Sequence, residues 1–282
     1  MATADSTHWI IVTDLDGTLL DHHNYSFNAA KLTLKRLEQH QVPVIINSSK
    51  TASEIEQLRV KLNNRHPFIA ENGSGILIPK DYFTAVPESA SHWKDYWEVV
   101  LGKSRQQLLS ALNKLPAQML DQVRGYHDMS LTDIMDATGL TKQEAKLSSE
   151  RRYTEPLQWT GSEIEKKLFF GHLHKQRIHF TQGGRFIHLM GHSNKGSATA
   201  WLTKYYQQEY QKPVKVVALG DGNNDVDMLK AADIAVVIRS PVNPLPAFEH
   251  PCKIISEACG PEGWAETINH IFFTHMDTAK QQ

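Results

Sequence analysis

Cysteine is nearly absent from this chain: 282 residues contain two, Cys252 and Cys259. Their spacing fits neither a CxxC redox pair nor a zinc site, and a chain of this length needs no disulfide staple to hold a core. An excess of one charge is also missing. Lys and Arg number 30 against 31 Asp and Glu, a formal net charge of -1, which offers no basic field to nucleic acid or an anionic membrane. No apolar run approaches membrane-spanning length, and the opening residues lack the basic start and apolar stretch of a signal peptide. A cytoplasmic protein that binds neither nucleic acid nor membrane is therefore expected, while oligomeric state cannot be read. The 15 histidines form no HExxH-type metal spacing. His172, His174, His179 and His188 are read as exposed strand or hairpin positions.

What is present is an alternation of short β-branched runs and helical stretches at both ends of the chain. Strands are expected at 9–13, 42–47, 67–70, 214–219 and 233–238, with helices near 27–40, 51–63, 195–210 and 224–231. This pattern predicts an α/β fold, a Rossmann-like parallel sheet covered by helices on both faces. The middle of the chain breaks the alternation. It carries amphipathic pieces such as residues 105–115 and a hairpin from 177 to 190 around Gly183 and Gly184. The expected organisation is a core of residues 1–80 and 190–282 with an inserted α+β cap at 81–189. The run from residue 265 to 273 is expected to close the chain as a packed helix.

Two acidic clusters stand directly behind expected strands: DLDGT at 14–18 and GDGNND at 220–225. Ligands of open parallel sheets bind just beyond the carboxyl ends of strands, so these clusters can meet at one place. Asp14 and Asp16, two residues apart, suit a nucleophile and a general acid/base, and Gly17 permits the sharp turn between them and the next segment. A carboxylate attacking a phosphate dianion needs charge neutralisation. Magnesium, a hard ion that takes oxygen ligands, suits Asp14, the backbone carbonyl of Asp16, Asp221 and Asp225. Ser48 ends the second strand ahead of a helix start, a place where anions bind readily. Lys195 begins the helix after the insert and is expected to hold both the phosphate and the nucleophile. The segment lacks the order of a nucleotide P-loop.

These pieces, in order DLDGT, Ser48, Lys195 and GDGNND, resemble the four motifs of the haloacid-dehalogenase superfamily of phosphatases. Three more segments, IAENGSG at 69–75, RRYTEP at 151–156 and GGRFIHLM at 183–190, resemble the mannosyl-3-phosphoglycerate phosphatase family, with NKG following at 194–196. GYHDMS at 125–130 and DATGL at 136–140 fit the cap of that family. The link from Gly191 to Lys195 is longer than the family leads one to expect. The resemblance implies hydrolysis, through an aspartyl-phosphate, of a hexose joined to 3-phosphoglycerate, mannosyl or also glucosyl, giving a glycosylglycerate compatible solute. It further implies Arg151 and Arg185 on the glycerate carboxylate, Glu71 and Asn72 on sugar hydroxyls, and Glu155 either there or positioning Arg151. Alternatives on the same scaffold are a general sugar phosphatase, a phosphomutase, or a sensor that binds sugar phosphate without turnover.

Overall fold

The computed structural model describes residues 7–183 and 186–278. The chain opens with β1 (His8–Thr13), α1 (Lys31–Gln39), β2 (Val44–Asn47), α2 (Ala52–Leu62) and β3 (Phe68–Ala70). Next come β4 (Gly75–Pro79), β5 (Ser91–Trp93) and β6 (Tyr96–Val100). The middle holds α3 (Arg105–Leu112), α4 (Ala117–Leu120), β7 (Val123–Gly125), α5 (Leu131–Thr138), α6 (Lys142–Ser149), β8 (Glu155–Trp159), α7 (Glu163–Lys175), β9 (His179–Gly183) and β10 (Phe186–Met190). The last part is α8 (Lys195–Tyr210), β11 (Val214–Gly220), α9 (Val226–Lys230), β12 (Ile234–Arg239), β13 (Lys253–Cys259) and α10 (Gly260–Thr278).

A nine-stranded sheet runs in the order β13-β12-β11-β1-β2-β3-β4-β6-β5. From β13 to β3 every pairing is parallel, and β4, β6 and β5 then extend the sheet antiparallel. Alternation along β1 feeds both faces. Ile10 and Val12 join Val216 and Ala218 in one apolar cluster, while Ile11 joins Val217 and Leu219 in the cluster on the other face. A strand buried on both sides has no polar alternation, so the run at 9–13 reads as continuously apolar. The mixed α/β fold with a parallel core agrees with the class expected from the sequence. Among the described residues no helix is long and apolar enough to cross a membrane.

The second sheet is antiparallel, in the order β7-β8-β10-β9. Ile187 and Leu189 of β10 pack with Leu157 and Phe169 on one side, and Phe186 packs with Tyr126, Ile134 and Ala145 on the other. The sequence reading counts residues 91–100 with the insert, but β5 and β6 are hydrogen-bonded into the nine-stranded sheet and Val99 lies in its core. The four-stranded sheet begins only at Val123. Helices α2, α5, α6 and α7 each start with a Ser or Thr cap and an acidic residue three positions later, reciprocally hydrogen-bonded.

Candidate active site

Strand β1 lies between β2 and β11, and the chain leaves it on opposite sides, so the sheet has its crossover point there. The carboxyl ends of β1, β11 and β2 deliver Asp14, Asp221 and Ser48 respectively. Gly17 has φ +76°, and a Cβ there would stand 2.7 Å from Asp221 Oδ2. Glycine therefore lets the two acidic loops touch, and any larger residue would push them apart.

The carboxylates of Asp14, Asp221 and Asp225 offer oxygens within 4.8 Å of one another, and all three residues are buried. Lys195, 1% exposed, enters from the first turn of α8. Its Nζ donates to Asp14 Oδ1 at 2.5 Å and to Asp225 Oδ1 at 2.6 Å. The first turn is the wrong end of a helix dipole for a cation, so these ion pairs hold it there against the dipole. The longer link ahead of Lys195 supplies the helix cap, since Asn194 Oδ1 accepts from the Ser197 N–H at 2.7 Å. Asn47 Nδ2 donates to the Lys195 carbonyl at 2.9 Å and fixes the backbone below. Asp225 has both oxygens committed, because Oδ2 accepts from the N–H groups of Asp221 and Gly222 at 3.1 and 3.0 Å. Asp221 accepts from Asn243 Nδ2 at 2.9 Å and from the Thr18 hydroxyl at 3.4 Å.

Three carboxylates against one ammonium leave a buried excess of negative charge. Burial pushes the Asp14 carboxyl up, to about 7, against the pull of Lys195, with Asp225 and Asp16 pushing the same way as burial. Burial likewise raises Asp221, against its hydrogen bond from Asn243. Lys195 stays above the ordinary lysine value: burial disfavours its charge, but Asp14 and Asp225 outweigh it. This donor set, hard oxygens with surplus negative charge, fits a divalent cation such as magnesium.

Asp16 stands apart from the trio. Its Oδ2 pairs with Lys50 Nζ at 2.8 Å, and its Oδ1 is buried with no partner. Lys50 is a contact that sequence reasoning missed, although a cation two residues after Ser48 was a visible signal. Ser48 is 1% exposed, and its Oγ accepts from the Lys50 N–H at 3.3 Å. Its carbonyl accepts from the Asn72 N–H at 3.0 Å. Asn72 in turn lines a cavity of about 520 Å³ with Lys195, Asn194, Thr181 and Met190, between core and second sheet. The side-chain Oδ1 of Asn72 is buried there without a partner.

The remaining sequence expectations meet different outcomes. Glu71 is fully buried and accepts from the N–H groups of Arg152 and Tyr153, at 2.8 and 3.2 Å, and from the Thr154 hydroxyl at 2.5 Å. Its oxygens bind the segment leading into β8 and are not free for sugar hydroxyls, so that expectation is corrected. We expect Glu71→Leu to lower stability by about 3 kcal/mol, since it strands three buried donors. Chemical denaturation checks this, and an unchanged midpoint would return Glu71 to the ligand side. Glu155 does not touch Arg151 either. It is fully buried and takes Arg105 Nε at 2.5 Å with the His127 N–H at 2.9 Å and its Nδ1 at 2.8 Å. Arg151 reaches back to the core, donating from Nη1 to the Ser49 carbonyl at 3.3 Å and to the Thr154 hydroxyl at 3.0 Å. Arg185 lies outside the described residues. Three of the histidines read as exposed strand or hairpin positions differ: His172 and His174 lie in α7, and the ring of His188 is partly buried with Nδ1 fully enclosed.

Comparison with known proteins agrees with this arrangement. Residues 11–114 and 127–243 match the family of haloacid dehalogenase-like hydrolases. The chain is 35% identical over 265 residues to a glucosyl-3-phosphoglycerate/mannosyl-3-phosphoglycerate phosphatase of Methanococcoides burtonii, covering 92% of this chain and 95% of that protein. A protein of the same name from Persephonella marina is 33% identical over 263 residues, covering 93% and 96%. A solved structure from Thermotoga maritima shares the fold with a TM-score of 0.67 at 15% identity, covering 94% of this chain and 97% of that one. The chain belongs to the haloacid dehalogenase-like hydrolases and is a phosphatase of that family.

Proposed function

We propose that the chain hydrolyses a glycosyl-3-phosphoglycerate, glucosyl or mannosyl, to the glycosylglycerate and inorganic phosphate. The observation that carries this reading is the convergence of Asp14, Asp221 and Asp225 around Lys195, which itself lines a cavity shared with Thr181 and Met190 of the second sheet, in a chain whose curated relatives bear that activity in their names. Lys195 occupies Asp14 Oδ1, so Oδ2 is the oxygen that attacks phosphorus. Ser48 and Lys195 hold the phosphate oxygens in line. As the bond from phosphorus to the glycerate oxygen breaks, Asp16 gives that oxygen a proton, and the phosphoryl group rests on Asp14. Water then attacks phosphorus, Asp16 takes its proton, and Asp14 leaves as a carboxylate. Lys50 fixes the position of Asp16 through both steps.

Magnesium, held by Asp14, Asp221 and the Asp16 carbonyl with Asp225 orienting the loop, would supply the positive charge that lets a carboxylate approach a phosphate dianion. Its effect on stability has a sign. Asp14 and Asp221 both have raised folded pKa values, so the stability these two groups contribute to the metal-free protein is fully present below their unfolded value near ~4 and is lost as pH rises, for Asp14 through about 7. The cation binds the ionised forms. Magnesium is therefore expected to raise the unfolding temperature more at about pH 8 than at about pH 5. A shift equal at both pH values would remove Asp14 and Asp221 as ligands.

Hydrolysis is separated from phosphoryl transfer by product analysis. Stoichiometric inorganic phosphate is expected from a glycosylated phosphoglycerate, whereas isomerised sugar phosphate would favour a mutase on the same scaffold.

A further inference from the structure

Strand alternation places His188. Ile187 and Leu189 sink into the apolar cluster beneath α3 and α7, so Phe186, His188 and Met190 take the opposite face of β10. Met190 on that face lines the cavity with Lys195 and Asn72, and so does Thr181, the residue paired with His188 across the sheet. The Nδ1 of His188 is buried and has no hydrogen-bond partner. A second nitrogen shares that condition. Arg151 spends Nη1 on Ser49 and Thr154, one residue from Ser48, while its Nε is buried and unpartnered.

The two groups feel each other. Burial first, and then the charge of Arg151, push the His188 imidazole down to about 3, so it stays neutral through the neutral range. A neutral ring beside a guanidinium adds a directional N–H without adding a second, repelling charge. Buried polar nitrogens are ordinarily satisfied, and here two of different type, Arg151 Nε and His188 Nδ1, lack a protein partner; in the Nδ1–H tautomer both are donors. A carboxylate has two oxygens to offer them; a sugar hydroxyl needs no arginine.

We propose that His188 is a specificity-determining residue, its Nδ1–H acting with the Nε–H of Arg151 to clamp a carboxylate carried by the leaving group. The proposal rests on the phosphatase reading of the Asp14 site and names the chemistry that its cap side selects. It predicts discrimination between 3-phosphoglycerate and glycerol 3-phosphate, which share the phosphate and three-carbon chain and differ at the carboxylate.

The test measures kcat/KM for both compounds, with magnesium, in the wild type, His188→Asn and His188→Gln. Asparagine carries an N–H where Nδ1 stood; glutamine places it where Nε2 stood. The wild type is expected to favour 3-phosphoglycerate, His188→Gln to reduce that preference about tenfold, and His188→Asn to retain it within about threefold. A wild type without the preference, or a preference that survives in His188→Gln, overturns the clamp. Should the ratios behave as expected while glycosylated phosphoglycerates go unhydrolysed, the substrate reading falls and the clamp stands.

Discussion

Asp14→Asn lowers kcat by at least about ten-thousand-fold, and does so without loosening the fold. The amide has the shape of the carboxylate but cannot attack phosphorus, and losing the nucleophile of a covalent mechanism removes the whole pathway, leaving only what positioning can supply. Stability moves the other way above neutrality. The buried Asp14 carboxyl has its pKa raised to about 7, chiefly by burial, so in the metal-free wild type its ionisation costs stability as pH rises through that value. The asparagine variant carries no such cost. Metal-free Asp14→Asn is expected to unfold at the same temperature as the wild type or a higher one at about pH 8, while magnesium protects it less. Steady-state kinetics with thermal unfolding checks both halves. Residual turnover within tenfold of the wild type would show that another group attacks.

Lys195→Met has the second large effect, and it falls on both fold and activity. Lys195 is the ammonium that faces Asp14 and Asp225 at 2.5 and 2.6 Å, fully enclosed. Its removal leaves buried carboxylates without their counter-charge, a change that costs about 3–5 kcal/mol in typical buried pairs. The loss should be greatest at about pH 8 and smaller at about pH 5, where the raised pKa values of Asp14 and Asp221 let protons take the place of the cation. Activity should fall at least about a thousandfold, because the phosphate loses a charge-assisted donor and Asp14 loses its anchor. Denaturant titrations at the two pH values decide it. A variant as stable as the wild type at the higher pH would mean that the acidic cluster is neutralised by something else.

The meeting of the two acidic clusters was legible because both sit where local sequence dictates structure. An apolar run followed by DLDGT or GDGNND is a buried strand with carboxylates at its end, and parallel-sheet topology then brings such ends together. Helix starts were legible for the same reason, as Thr51 with Glu54 shows. Where the sequence reading failed, a long-range contact decides the role. Glu71 looks like a free acid beside an Asn-Gly turn, and only its burial against residues 152–154, about eighty positions later, turns it into a support for the second sheet. Glu155 is spent on Arg105 and His127 in the same way. The pair β5 and β6 is short and partly exposed, so nothing local says that it completes the first sheet rather than the second. The pairing of Lys50 with Asp16 joins two loops that only the β1–β2 register brings together.

The substrate is the centre of this account, and one comparison addresses it most directly: kcat/KM, with magnesium, for glucosyl- and mannosyl-3-phosphoglycerate against simple hexose phosphates. The account predicts a preference of roughly a hundredfold or more for the glycosylated phosphoglycerates, since the buried Nε of Arg151 and Nδ1 of His188 go unpartnered with a ligand that lacks the carboxylate. Equal or faster hydrolysis of simple hexose phosphates would contradict it and leave a general sugar phosphatase with the same chemistry at Asp14.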